Sequence, residues 1–256
     1  MSPLTQDQVR RFADDGILVA SGLVDADRVA AALAVVDDLV ASSPPPAGHT
    51  GHHFHWNQEA APLLATVSKT PAWEAACQLT GDDLLAPHQV QVALTYPPYA
   101  HRPGGGHLDG FHALTEHGGP FSFTLLAGVI LSDQSRDNMG NLFVWPGSHR
   151  EITEYGRTHG ADAAVAAVVA SGTAQPPMIR SSPVQVHASP GDVVFAHYLL
   201  AHNIGGNTSN TVRKTIYGRL SRPGNQEHWR EIFADPWYEY DGVRAVTTGT
   251  SSARTG

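Results

Sequence analysis

Cysteine is nearly absent from this chain, which holds only Cys77 among its 256 residues. No intrachain disulfide can form, zinc-ribbon and CxxC redox sites are excluded, and a reducing, cytoplasmic setting is expected. Positive charge is scarce as well. The 16 Lys and Arg are outnumbered by 24 Asp and Glu, giving a formal charge of −8 and a pI near 6.0, and the cations are scattered. That leaves no basic footprint for a phosphate backbone, so nucleic acid is not an expected partner. Long apolar runs are missing too. No stretch reaches the roughly 18 residues that a membrane helix needs, and the opening Met1-Ser2-Pro3-Leu4-Thr5-Gln6 is no basic segment leading into an apolar one. Neither secretion nor membrane insertion is expected.

What the chain has in excess is histidine, 15 in all, which directs attention to metal ligation or proton chemistry. With 41% hydrophobic residues it can bury one sizeable core, so a single domain over 1–256 is expected. Thr5 and Gln8 form a capping-box pattern ahead of Val9, Phe12 and Ala13, and Asp15-Gly16 stops that helix. Residues 17–19 read as a short strand. Val29, Leu33, Val36 and Val40 make one stripe of a second helix, beginning near Asp25 and ending before Pro44. Residues 44–62 read as a loop. Its four histidines, His49, His52, His53 and His55, lack a carboxylate at strand or helix spacing, and a mobile, aromatic-bearing lid or a solvated loop is expected rather than a metal site. A third helix runs from Pro71 to Leu79.

Beyond it the pattern turns to strands, over 89–96, 121–131, 142–145, 184–187, 192–195 and 212–220, broken by a helical insertion at 160–171. A tail over 247–256, rich in Thr, Ser and Gly, is expected to fray. The whole reads as an α+β protein, mainly β, built on a barrel or sandwich. Its expected parts are a helix-rich stretch (1–85), a β core (86–222) and a C-terminal segment (223–256).

The chemistry begins at Gly104-Gly105-Gly106-His107-Leu108-Asp109-Gly110, where His107 and Asp109 are two apart and project from one face of an extended segment. An imidazole and a carboxylate suit a borderline divalent ion, and one more histidine would complete a facial triad with open coordination positions. Two candidates follow the strand that starts at Gly191-Asp192: His197 and His202. His202 stands eleven residues before Arg213, and a Trp145-Pro146-Gly147-Ser148-His149 turn lies between it and the HxD segment.

This ordering resembles the phytanoyl-CoA dioxygenase-like family of Fe(II)/2-oxoglutarate-dependent oxygenases, and the likeness covers roughly 4–222. It implies a double-stranded β-helix, a cupin-like jelly-roll of two facing antiparallel sheets braced by N-terminal helices. It implies Fe(II) held by His107, Asp109 and His202, with 2-oxoglutarate as co-substrate. Arg213 then anchors the far carboxylate of the co-substrate, a role suited to a permanent planar cation, and Gln91 matches the position that hydrogen-bonds the metal-proximal carboxylate. Relatives often carry Ser two residues after the distal histidine. Here that residue is Ile204, so Thr215 or Tyr217, which alternate with Arg213 and Arg219 on one strand face, are the expected helpers. Halogenating relatives have a small residue in place of the carboxylate, so Asp109 disfavours halogenation.

The resemblance implies oxidation of a C–H bond in a small molecule by O2, with release of succinate and CO2. Hydroxylation leads, and epimerisation, desaturation or cyclisation uses the same cofactors. More distant alternatives are a cupin-like Zn(II) isomerase or hydrolase, and a binding module without catalysis. Phe111, His112 and Trp145 are candidate substrate contacts. His101 and His117 flank the HxD segment, and Trp229 and Phe233 stand four apart, as either pocket wall or helix core.

Overall fold

The computed structural model describes residues 2–249. At the N-terminus Thr5 closes the expected box: its Oγ1 accepts from the Gln8 N–H at 3.2 Å, and Gln8 Oε1 accepts from the Thr5 N–H at 2.8 Å. Helix α1 (Gln6–Asp15) ends on Gly16, whose φ of 74° is a left-handed C-cap. Strand β1 (Ile17–Ala20) follows, then α2 (Ala26–Ser42), capped by the Asp25 carboxylate on the Arg28 N–H.

The expected loop at 44–62 is in part an edge strand, β2 (Gly51–Gln58), paired antiparallel to β3 (Val90–Tyr96) with Gly51 opposite Tyr96 and His55 opposite Val92. Histidine is a weak strand signal, and here the partner strand decides the conformation. Between them lie α3 (Ala61–Ser68), which sequence patterning missed, and α4 (Pro71–Thr80), with Pro71 in the first turn.

The remaining strands are β4 (Leu125–Ile130), β5 (Leu142–Val144), β6 (Val184–Gln185), β7 (Val193–His197), β8 (His202–Ile204) and β9 (Arg213–Leu220). β4 begins later than residue 121 because the Phe121 N–H bonds to the Gly110 carbonyl instead of to a neighbouring strand. The expected Pro-Gly-Ser-His turn opens a helix, α5 (Ser148–His159), and α6 (Ala161–Ser171) is the expected insertion. At the end, α7 (Trp229–Ala234) precedes α8 (Asp241–Gly249). Residues 247–249 therefore close a helix, and the rest of the expected tail, 250–256, lies outside the described residues.

Two antiparallel sheets face each other, one ordered β1-β7-β4-β9-β3-β2 and one ordered β6-β5-β8. This is the double-stranded β-helix that the family resemblance implies. The central strands are apolar on both faces because both are covered. Leu125, Ala127 and Val129 of β4 join Phe195, Ile216 and Leu220 in a core shared with α1–α4 and α8. Leu126 and Ile130 point the other way, into a second core with Phe143, Trp145 and Tyr198 between the sheets and under α5–α7.

Candidate metal centre

His107 and His202 are direct partners across an antiparallel bridge: each backbone N–H donates to the other's carbonyl at 3.0 Å. Side chains of such opposed residues leave the sheet on the same side, and the two rings lie 4.7 Å apart between centres. Asn203 adds a second tie, its Nδ2 donating to the Gly105 carbonyl at 2.8 Å. Two residues beyond His107 the chain brings Asp109 in beneath both rings. Its Oδ1 stands 3.6 Å from His107 Nε2 and 3.6 Å from His202 Nε2, and the ligand atoms of the three residues all lie within 4.8 Å of one another.

Glycine is required just before the histidine. A Cβ on Gly106 would sit 2.6 Å from the Trp145 ring, which is buried at 2% exposure and cannot move aside. Trp145 is thus the floor under the ligand segment and does not line the cleft.

The chemistry of the donor set fits a divalent transition ion. His202 Nδ1 is 3.0 Å from the Leu200 carbonyl, which can only accept, so in the neutral ring Nδ1 carries the hydrogen and Nε2 keeps its lone pair. The second Asp109 oxygen is held by Arg219, whose Nη2 and Nε donate to Oδ2 at 2.6 and 3.1 Å, leaving Oδ1 turned toward the imidazoles. Burial works to raise the Asp109 pKa, but the two neighbouring histidine side chains and the Arg219 charge outweigh it and hold the carboxyl well below its usual range. Burial likewise works to depress His202, and Asp109 reverses the sign, so this imidazole is raised above its ordinary value. A carboxylate charged throughout the neutral range and an imidazole made more basic are both good ligands once the proton is displaced.

The rival His197 is spent on structure. It is 2% exposed, its Nε2 donates to the Pro236 carbonyl at 2.6 Å, and its Nδ1 accepts from the Leu199 N–H at 3.0 Å. Burial lowers its pKa to about 4. His149 packs against it, with ring centres 5.1 Å apart, and reaches the Ala13 carbonyl.

Arg213 is buried, at 1% exposure. It donates to Gln134 Oε1 and the Ala93 carbonyl, both at 3.3 Å, and to the Tyr217 hydroxyl at 2.6 Å. Among the described residues no carboxylate pairs with it. Thr215 is fully buried and acts one step back, accepting from Gln134 Nε2 at 3.0 Å. Gln91 lines the cleft and its Oε1 accepts from Arg219 Nη1 at 3.1 Å. Arg219 therefore links the ligand carboxylate to the expected co-substrate contact. The period-two pattern of β9 placed Arg219 toward the cavity, but its partner was not legible in sequence.

The cleft over these residues has a volume of about 360 Å³. His52, Phe54 and Trp56 of β2 form one wall, with Leu126, Leu142, Ile204 and Tyr217 opposite and beneath. His52 is depressed to about 4, first by burial and then by the Arg213 charge. Of the expected substrate contacts, His112 is exposed and stacks on Phe121 at 5.2 Å, and Phe111 packs edge-on to Phe233 at 6.2 Å; neither lines the cleft. His101 stacks on Tyr99 at 5.3 Å, and the His117 carbonyl accepts from Trp229 Nε1 at 3.1 Å. Trp229 and Phe233 are a buried helix stripe.

Comparison with known proteins places these observations. The family model described as Phytanoyl-CoA dioxygenase (PhyH) matches residues 12–215. No curated protein matches the chain by sequence. Among solved structures, the non-heme alpha ketoglutarate dependent epimerase SnoN from nogalamycin biosynthesis is 20% identical with a TM-score of 0.63, over 85% of this chain and 80% of that one. HygX from Streptomyces hygroscopicus, solved with nickel and 2-oxoglutarate bound, is 20% identical with a TM-score of 0.55, over 86% and 88%. EctD from S. alaskensis, in its apoform, is 20% identical with a TM-score of 0.56, over 86% and 78%.

Proposed function

Since the chain belongs to the phytanoyl-CoA dioxygenase family, whose members are Fe(II)- and 2-oxoglutarate-dependent enzymes, we propose that it oxidises a C–H bond of a small molecule, with hydroxylation as the leading outcome. The observation that carries the reading is the convergence of His107, His202 and Asp109, with one carboxylate oxygen equidistant from both Nε2 atoms. His107, Asp109 and His202 are the ligands in this reading. When bound, iron and 2-oxoglutarate supply oxidising power from O2, and succinate and CO2 leave.

The chain's own residues do the positioning. Arg213 offers the far carboxylate a buried guanidinium that no acid among the described residues neutralises, held in orientation by Tyr217 and by Gln134, with Thr215 behind. The hydroxyl expected two residues after the distal histidine is replaced in this role by Tyr217, which bonds Arg213 directly. Gln91 faces the metal-proximal end. Arg219 holds Asp109 by its outer oxygen, so that the inner one serves the metal. Phe54, Trp56, Leu126 and Leu142 keep water from the reacting carbon and favour an apolar or ring-bearing substrate over a highly charged one.

The reading takes 1–256 as one oxygenase domain, acting in the cytoplasm on a metabolite, with no nucleic-acid partner. The single cysteine and the acidic balance support it, and among the described residues no helix is long and apolar enough to cross a membrane. Epimerisation and carbocyclisation are the second reading, supported by the fold shared with SnoN and with the carbocyclase SnoK from the same biosynthesis. Aerobic incubation with Fe(II), 2-oxoglutarate and candidate metabolites should release succinate in the parent and none in Asp109→Ala. A product heavier by one oxygen supports hydroxylation, and an unchanged mass supports epimerisation. Tight zinc without any 2-oxoglutarate binding would overturn both in favour of a hydrolase or isomerase.

A further inference from the structure

The cleft uses only one face of β2. His52, Phe54 and Trp56 line it, so strand alternation sends His53 and His55 from the opposite face. There they meet His49, which arrives on the loop before the strand. Ring centres are 4.9 Å apart for His53 and His55 and 5.8 Å for His49 and His53, and the Tyr96 ring flanks His49 at 5.6 Å and His53 at 6.3 Å. The Nε2 atoms of all three histidines are shielded from solvent and have no hydrogen-bond partner among the described residues. Buried polar nitrogens are normally satisfied, and three orphans in one cluster ask for a shared ligand.

Ring spacing indicates what kind. Two imidazoles on one tetrahedral ion, at metal–nitrogen distances of about 2.0–2.1 Å, have centres roughly 5 Å apart. The two observed spacings bracket that value. Burial and the neighbouring His53 depress the His55 pKa, which keeps its ring neutral and ligating. Three imidazoles without thiolate or carboxylate select borderline, nitrogen-preferring ions over Mg(II) or Ca(II).

We propose that His49, His53 and His55 form a second metal site, on the face of β2 opposite the cleft, for Zn(II), Cu(II) or Ni(II), with water completing the coordination. Among the described residues only the His107, Asp109 and His202 group already has all its ligand atoms within 4.8 Å. The second site closes when the loop-borne His49 ring turns toward the strand pair. The bound ion then ties the 44–50 loop to an edge strand whose other face is the cleft wall. None of this depends on the iron reading.

Zn(II) titration calorimetry on the metal-stripped, tag-free chain tests it. The parent should bind two equivalents. A His53→Asn, His55→Asn double variant should lose one of them, with at least a 100-fold weakening, while Asp109→Ala loses the other. A double variant that binds as much zinc as the parent overturns the proposal, whereas a parent with a single equivalent that the double variant loses supports this site and fails only the iron reading. Should the double variant fail to fold, parent crystals soaked in Zn(II) decide by anomalous diffraction: a peak among the three rings supports the site, and no peak there at saturating zinc overturns it.

Discussion

Arg213→Met separates function from stability at one position. The change removes the guanidinium and keeps most of the aliphatic volume. In the chain without co-substrate the guanidinium is buried at 1% exposure, and among the described residues only neutral oxygens accept from it. Desolvating such a cation costs several kcal/mol, and three hydrogen bonds to neutral groups offset about 0.5–1.5 kcal/mol each. The two nearly cancel. Folding free energy should therefore move by no more than about 2 kcal/mol in either direction, or roughly 4–8 °C in melting temperature for a chain of this size. Co-substrate binding should suffer far more. Breaking a buried, charge-assisted pair costs about 3–5 kcal/mol, which corresponds to a 2-oxoglutarate affinity weaker by roughly two to four orders of magnitude. Anaerobic titration of 2-oxoglutarate into the Fe(II)-loaded variant, beside a thermal melt of the metal-free protein, reads both quantities. Arg213→Lys should fall between, since it keeps the charge but loses the planar fork. An affinity change under tenfold, or a melting temperature lower by more than about 15 °C, would refute the reasoning and make Arg213 a structural residue.

Three further outcomes are expected. Arg219→Met frees the outer oxygen of Asp109, so Fe(II) or Co(II) affinity should drop by about 10–100-fold with all three ligands intact; unchanged affinity in a metal titration would show that the Asp109 carboxylate needs no such hold. Metal binding should also depend on pH through His202. Its pKa is raised, so below that value metal must displace a proton and affinity falls by about tenfold per pH unit, whereas above it the curve levels off; Asp109, lowered well below its usual range, stays ionised and adds no slope near neutrality. Gly106→Ala should cost about 1–3 kcal/mol of stability and displace His107, because the new methyl meets the Trp145 ring at 2.6 Å; metal affinity should fall, and a Trp145→Phe change in the same chain should restore part of it.

The limits of sequence reading follow the range of the forces involved. Capping at Thr5 and Gln8, the stripe of α2 and the paired β-branched runs are local or strictly periodic, and each became the expected element within a few residues. Where the environment outweighed local preference, the reading failed. Residues 51–58 look like a polar, histidine-bearing loop, yet β3 offers them a row of backbone partners and they become an edge strand. Ser148 looks like the end of a turn, yet it starts α5 because its backbone continues over the second core. Trp145, a candidate substrate contact on its ring chemistry, is instead the floor beneath the ligand segment.

By itself the sequence determined the donor types and their spacing: an imidazole and a carboxylate two apart, a distal histidine, and an arginine eleven residues later. Those are properties of order along the chain, and order is what a family resemblance reads. Only the tertiary structure decided between His197 and His202, because what separates them is which backbone carbonyls and amides each ring meets. It also decided that Arg213 is buried with no carboxylate partner among the described residues, that Tyr217 bonds it, and that Arg219 grips Asp109. Each of those pairings joins segments distant in sequence or sets which side chains share a buried pocket, and neither is written in local pattern.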